Sequence, residues 1–163
     1  MNPGAVLALM FFSVMFGLGL TAGALAARAC WTNISEELDI VLLSSSGLKR
    51  FFLGIINTFI SLVIVILTSK LGPLGILGLL VLFLIMIFAF IGFVAEISLW
   101  GRRVLALRQA TSSLFAQTLA GGLTLSTILL LPFVGQTIFF IILFQGLGTS
   151  IYWLFQRKNL AKT

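Results

Sequence analysis

Apolar residues run along this chain in long blocks, and polar residues are confined to the gaps between them. A helix that crosses a hydrocarbon core about 30 Å thick needs about 20 apolar residues, each rising about 1.5 Å. The blocks at 5–27, 51–68 and 74–100 meet that length, and they stop at Arg28, at Ser69–Lys70 and at Gly101–Arg102–Arg103. A Leu-Gly-Pro break at 71–73 separates the second block from the third. The last apolar stretch, 114–155, would be about 63 Å long as one helix, so it folds back on itself. Pro132 and Gly135 mark the reversal: proline cannot donate to the preceding turn, and glycine permits the φ a tight turn needs. This divides the stretch into spans at 114–131 and 136–155. The turn itself, Leu-Pro-Phe-Val-Gly, is nearly apolar, so the pair either crosses twice or forms a re-entrant hairpin buried against protein. The predicted fold class is an all-α integral membrane protein, one polytopic domain over 1–163 built as a bundle of about five transmembrane helices.

The gaps at 28–50 and 101–113 and the tail from 156 are each shorter than the roughly 50 residues of a minimal domain. In the first gap Asn33 precedes Ile34 and has Glu36 three residues later, the pattern of a capped helix start. Ile34, Leu38, Val41 and Leu42 then recur at helical spacing, with Glu36, Glu37 and Asp39 opposite. The expectation is a short amphipathic helix lying on the membrane surface, or a linker with accidental spacing. Trp31, Trp100, Tyr152 and Trp153 lie near span ends and read as an aromatic belt with no pigment-binding or catalytic role.

Charge sets the threading. With five crossings one side receives Arg28, Lys49, Arg50, Arg102, Arg103, Arg108, Arg157, Lys158 and Lys162, and the other receives Lys70. Cytoplasmic loops retain the basic excess, so the N-terminus is expected outside and the C-terminus in the cytoplasm, in a bacterial inner or internal membrane. Ala24-Leu25-Ala26 resembles a signal-peptidase site, but no basic residue precedes its apolar run, and the segment is expected to be retained. Arg102, Arg103 and Arg108 are candidates for contact with lipid headgroups.

Composition narrows the chemistry. Only 9% of residues are charged against 60% hydrophobic, which excludes a soluble enzyme and a nucleic-acid-binding domain in spite of ten basic residues. The chain has no histidine and one cysteine, Cys30, so it lacks the donors of zinc, haem and iron–sulfur sites and cannot form an internal disulfide. No metal or organic cofactor is predicted, and bound lipid is. The 16 phenylalanines supply apolar contact for lipid, neighbouring helices or a bound pigment. Glu96 is the one acid inside an apolar block, a default functional candidate because a charge there is expensive. It lies a turn and a half before the Gly-Arg-Arg end, where it is expected either to pair with a basic neighbour or to reach water.

Small and polar residues form stripes at spacings of three and four. Ser13, Gly17, Thr21 and Ala24 share one face of the first span, and Gly19 and Gly23 another. Gly54, Asn57, Ser61 and Thr68 form a stripe in the second span, Thr118, Gly122 and Ser126 in the fourth, and Gln145, Thr149 and Tyr152 in the fifth. The glycines of Gly146-Leu147-Gly148 read as packing residues. Such stripes permit close helix approach and hydrogen bonds between helices. These positions are therefore the candidate helix-packing or partner interface, with Asn57, Ser61, Gln145 and Thr149 as the alternative lining of a polar path. An acid–base set for a lipid-modifying enzyme would have to come from Glu96, Arg102, Arg103 and Arg108.

Leu99-Trp100-Gly101-Arg102-Arg103-Val104-Leu105, Ser112-Ser113, Ala120-Gly121-Gly122, Leu129-Leu130-Leu131-Pro132-Phe133-Val134-Gly135 and Gln145-Gly146-Leu147-Gly148 form a further pattern. Over residues 99–155 it resembles an uncharacterised bacterial membrane module that often accompanies bactofilin-like, polymer-forming domains. The resemblance implies an inner-membrane protein that anchors or assembles with something else, and it carries over no catalytic residue. Together these readings predict a non-catalytic accessory or anchoring subunit that contacts lipid and other membrane subunits or its own copies. The rival is a small oligomeric transporter or channel component.

Overall fold

In the computed structural model the described residues are 3–70, 72, 75–107, 113–131 and 133–160. They form helices α1 (Pro3–Cys30), α2 (Thr32–Ser44), α3 (Gly47–Ser69), α4 (Gly75–Ala106), α5 (Leu114–Leu129) and α6 (Val134–Leu160). Four of them contain stretches long and apolar enough to cross a membrane: Met10–Cys30, Gly47–Ser69, Gly75–Ala106 and Val134–Arg157. The helix α5, apolar but only 16 residues long, is the shorter fifth.

Several boundaries differ from the sequence reading. The third span does not stop at Gly101: α4 runs on through Gly101–Arg102–Arg103 to Ala106, 32 residues in all. Gly101 has a packing role there, because a Cβ would overlap the backbone carbonyl of Gln117. The last span begins at Val134 rather than Gln136 and continues past Phe155. Pro132 lies outside the described residues, as do Leu71, Pro73, Leu74, Arg108, Ser112 and Lys162. At the reversal between α5 and α6 the left-handed backbone belongs to Phe133, at φ 68°, and not to Gly135. Gly135 instead lets the first turn of α6 close on α5, where a Cβ would meet the Ile128 carbonyl. At the α3–α4 break Gly72 does take a positive φ, 62°, as a turn glycine should.

The segment after the first span is a helix, α2, but its start is not capped by Asn33. Ser35 N–H donates to the Trp31 carbonyl at 3.0 Å, so the helical ladder already runs through Asn33. Leu38, Val41 and Leu42 are buried, as the spacing requires, while Ile34 is only half-buried.

The chain divides into two compact units. Met1–Ser35 with Val94–Ile142 form the first, and Glu36–Phe93 with Leu143–Thr163 the second. In the first, α5 runs antiparallel to both α1 and the C-terminal part of α4. Its neighbouring glycines face different ways: a Cβ on Gly122 would strike the Thr21 side chain of α1, and one on Gly121 the Ile97 carbonyl of α4. In the second, the C-terminal part of α6 has the corresponding place. A Cβ on Gly148 would overlap the Arg50 carbonyl of α3, and one on Gly146 the backbone of α4 at Gly92 and Phe93. Lipid tails are as apolar as leucine, so helices in a membrane gain by van der Waals packing and hydrogen bonds, and backbone-to-backbone approach maximises both.

Candidate functional site

In the first unit the contact between α1 and α5 is made by the predicted stripes. Gly17, Thr21 and Ala24 are buried on α1, and Thr118, Gly122 and Ser126 on α5. Gly17 abuts the Ser126 side chain. Both hydroxyls turn back to their own helices: Ser126 Oγ donates to the Gly122 carbonyl at 2.8 Å and Thr21 Oγ1 to the Gly17 carbonyl at 2.8 Å. Gly19 takes no part, since nothing lies within 4 Å of a Cβ built on it, and Gly23 is half-buried. Across α4 and α5, Ser98 Oγ and Thr118 Oγ1 share a hydrogen bond of 2.6 Å. Ser98 gives no signal of this contact in the sequence, because Ile97 and Leu99 flank it with apolar side chains.

The first unit also holds two charged residues away from water. Glu96 is 0% exposed and Arg28 7%. Glu96 therefore does not point to water. A turn and a half would have brought it to the interface only if α4 had ended at Gly101, and α4 continues to Ala106. Arg103 is exposed and Arg102 half-buried, so Glu96 shares no solvent-facing site with them. A crevice lined by Ile97, Trp100, Gly121, Leu125, Ile128 and Ile142 has no room for a water molecule.

In the second unit Gly54 is buried against the Phe144 carbonyl of α6. Ser61 is buried, Asn57 half-buried, and the Ser61 hydroxyl donates to the Asn57 carbonyl at 2.7 Å. Thr149 is fully buried and donates to the Gln145 carbonyl at 2.9 Å, with the Gln145 side chain half-buried beside Gly47. Ser150 Oγ reaches across to the Phe88 carbonyl of α4 at 2.7 Å. The hydroxyls of Ser61 and Thr149, half of the proposed polar path, thus satisfy carbonyls of their own helices.

Two residues of this unit have roles the sequence reading assigned differently. Arg50, taken as a topology determinant beside Lys49, is 4% exposed. Its Nη1 donates to the Leu42 carbonyl at 2.9 Å, the Ser45 carbonyl at 2.8 Å and Ser45 Oγ at 3.0 Å, closing the C-terminal end of α2. Lys49, one residue earlier, is exposed. Trp153 is likewise no belt residue: it is 4% exposed and its indole N–H donates to Glu37 Oε2 at 2.7 Å. Arg157 lies 4.0 Å from the same oxygen and stacks 5.1 Å above the Trp153 ring. The helix α2 is thereby held by α3 at its C-terminal end and by α6 at Glu37.

Among the described residues no three Cys, Asp or Glu side chains converge on a metal position. Cys30 is exposed. The helices define an all-α, multi-pass membrane protein. No protein-family model, curated protein or solved structure matches the chain.

Proposed function

We propose that the protein is a non-catalytic accessory, anchoring or assembly subunit of a larger bacterial membrane complex, threaded with its N-terminus outside and its basic helix ends in the cytoplasm. The observation that carries this reading is the use made of polar and small residues in the spans. Glycines bring backbones together, and the hydroxyls of Thr21, Ser61, Ser126 and Thr149 return to their own helices. The large apolar side chains, by contrast, face outward: Phe12, Phe59 and Phe83 are 72%, 67% and 64% exposed. Such faces suit lateral contact with lipid, other subunits or copies of the chain. The pattern of residues 99–155, which resembles a module found beside polymer-forming domains, supports an assembly role. Arg103, exposed at the end of α4, suits an anionic headgroup. Extraction in mild detergent through a C-terminal tag, followed by mass measurement of the intact complex, tests the proposal. A larger partner in fixed ratio is the expected result, and a chain that purifies alone would overturn it.

One observation favours a second reading, a small oligomeric transporter or channel component: Glu96 is sealed inside an apolar helix. Intramembrane acids commonly serve ion or proton paths. Glu96→Gln separates the readings. A subunit that only anchors keeps its partner and the partner's activity, whereas a charge-dependent path loses flux while assembly survives.

A further inference from the structure

We infer that the α5–α6 hairpin is re-entrant, with its tip at Leu131, Phe133 and Val134 seated among lipid acyl chains and short of the aqueous surface. Four independent observations, all within the first unit apart from the charge count, lead there. The first is length. The 16 residues of α5 rise about 24 Å, less than the hydrocarbon core of about 30 Å.

The second is register. Gly122 of α5 faces Thr21 of α1, and Ser126 faces Gly17, so four residues forward on α5 match four backward on α1. Continued to the end of α5, this places Leu129 level with Val14. Ring contact between Phe16 and Phe139, with centroids 5.9 Å apart, places the start of α6 on the same part of α1. Beyond Val14, α1 continues as helix through Ala5–Phe12, all apolar, for about 12 Å. Hydrocarbon that covers this end of α1 also covers the tip.

The third observation is the backbone. A turn can lie in lipid only if its polar groups find partners within the protein. Here Leu130 N–H donates to Thr127 O at 3.2 Å, Leu131 N–H to Ile128 O at 3.0 Å, and Gly135 N–H to Leu131 O at 2.9 Å. Thr137 supplies both its N–H, at 2.9 Å, and its hydroxyl, at 2.8 Å, to Phe133 O. The fourth is the surface of the tip. Leu131, Phe133 and Val134 are 55%, 81% and 54% exposed, and no charged residue occurs between Arg108 and Arg157. Three large apolar side chains presented outward, on a turn whose Leu130, Leu131 and Gly135 N–H groups and Phe133 carbonyl find partners within the protein, fit acyl chains, with the exposed Gln136 following at the first turn of α6.

The test uses the full chain with Cys30→Ala, in vesicles of phosphatidylethanolamine and phosphatidylglycerol. Phe133→Cys and Leu131→Cys report on the tip, and Lys70→Cys, at the exposed end of α3, is the aqueous control. An impermeant maleimide present on both sides should label the two tip variants at least about tenfold more slowly than Lys70→Cys. A fluorophore coupled to either tip variant before reconstitution should be quenched by lipids brominated on the acyl chain. Labelling within tenfold of Lys70→Cys would place the tip in water. Protection from maleimide without acyl-chain quenching would mean that protein covers it. Either result overturns the inference, and agreement of the two tip variants guards against one that misfolds.

Discussion

Ser98 Oγ and Thr118 Oγ1 lie 2.6 Å apart, both side chains buried, and join α4 to α5 in the same stretch where the glycines bring the backbones together. Thr118 Oγ1 also lies 3.0 Å from the Leu114 carbonyl, its own-helix partner. A hydrogen bond between transmembrane helices contributes on average about 0.6 and at most about 1.7 kcal/mol by double-mutant cycle. Ser98→Ala and Thr118→Val should therefore each lower stability. Their coupling in a denaturation cycle in detergent should fall in that range, and a coupling of zero would show that the hydroxyls do not act together.

The glycines offer a paired comparison. At Gly121 a leucine would have to displace the Ile97 backbone, whereas at Gly19 there is open space. Overpacking costs about 1–3 kcal/mol and at times more when rigid backbone must yield. Gly121→Leu should lower the heat-aggregation midpoint markedly in size-exclusion assays, and Gly19→Leu should leave it unchanged. If Gly19→Leu is destabilising only when partner subunits are present, that face is in contact with another chain.

Trp153 and Arg157 both approach Glu37, but they should not matter equally. The Arg157 side chain is 60% exposed and its 4.0 Å contact is solvent-screened, so Arg157→Gln should change stability by less than about 1 kcal/mol. The Trp153 indole is buried, and its hydrogen bond to a carboxylate falls in the class that contributes about 1.5–3 kcal/mol. Trp153→Phe should speed amide hydrogen exchange across residues 36–44, while Arg157→Gln should not.

Arg50 should resist conservative replacement. One nitrogen of its planar fork already meets two carbonyls and a hydroxyl at the end of α2. A lysine ammonium reaching the same place would retain a charge but lose the fork, and burial penalises what it leaves unpaired. Arg50→Lys should loosen exchange at residues 42–46 and lower expression of folded protein. Lys49→Arg and Lys49→Gln, at an exposed neighbour, should have little effect on either.

Much of the fold was legible because transfer into lipid is decided locally. An apolar block of about 20 residues specifies a helix whatever surrounds it. Four members of the stripes on α1 and α5, Gly17, Thr21, Gly122 and Ser126, meet at one contact. The errors share a cause. Gly101 reads in sequence as a stop and Gly135 as a turn residue, yet both are places where another backbone comes close. A glycine looks the same in sequence in either role.

The burial of basic and aromatic residues at helix ends was not legible at all. Lys49 and Arg50 are neighbours of equal charge, and one is exposed while the other is buried on the end of α2. Trp153 has an aromatic neighbour, Tyr152, that remains half-buried. Sequence by itself determined that this is a helical membrane protein, roughly where its helices lie, and which residues are small enough to let helices touch. Tertiary structure alone decided which face of each helix turns inward. In water an inward face announces itself by being apolar, but in a span that is apolar on every side the choice is made only by the neighbours it packs against.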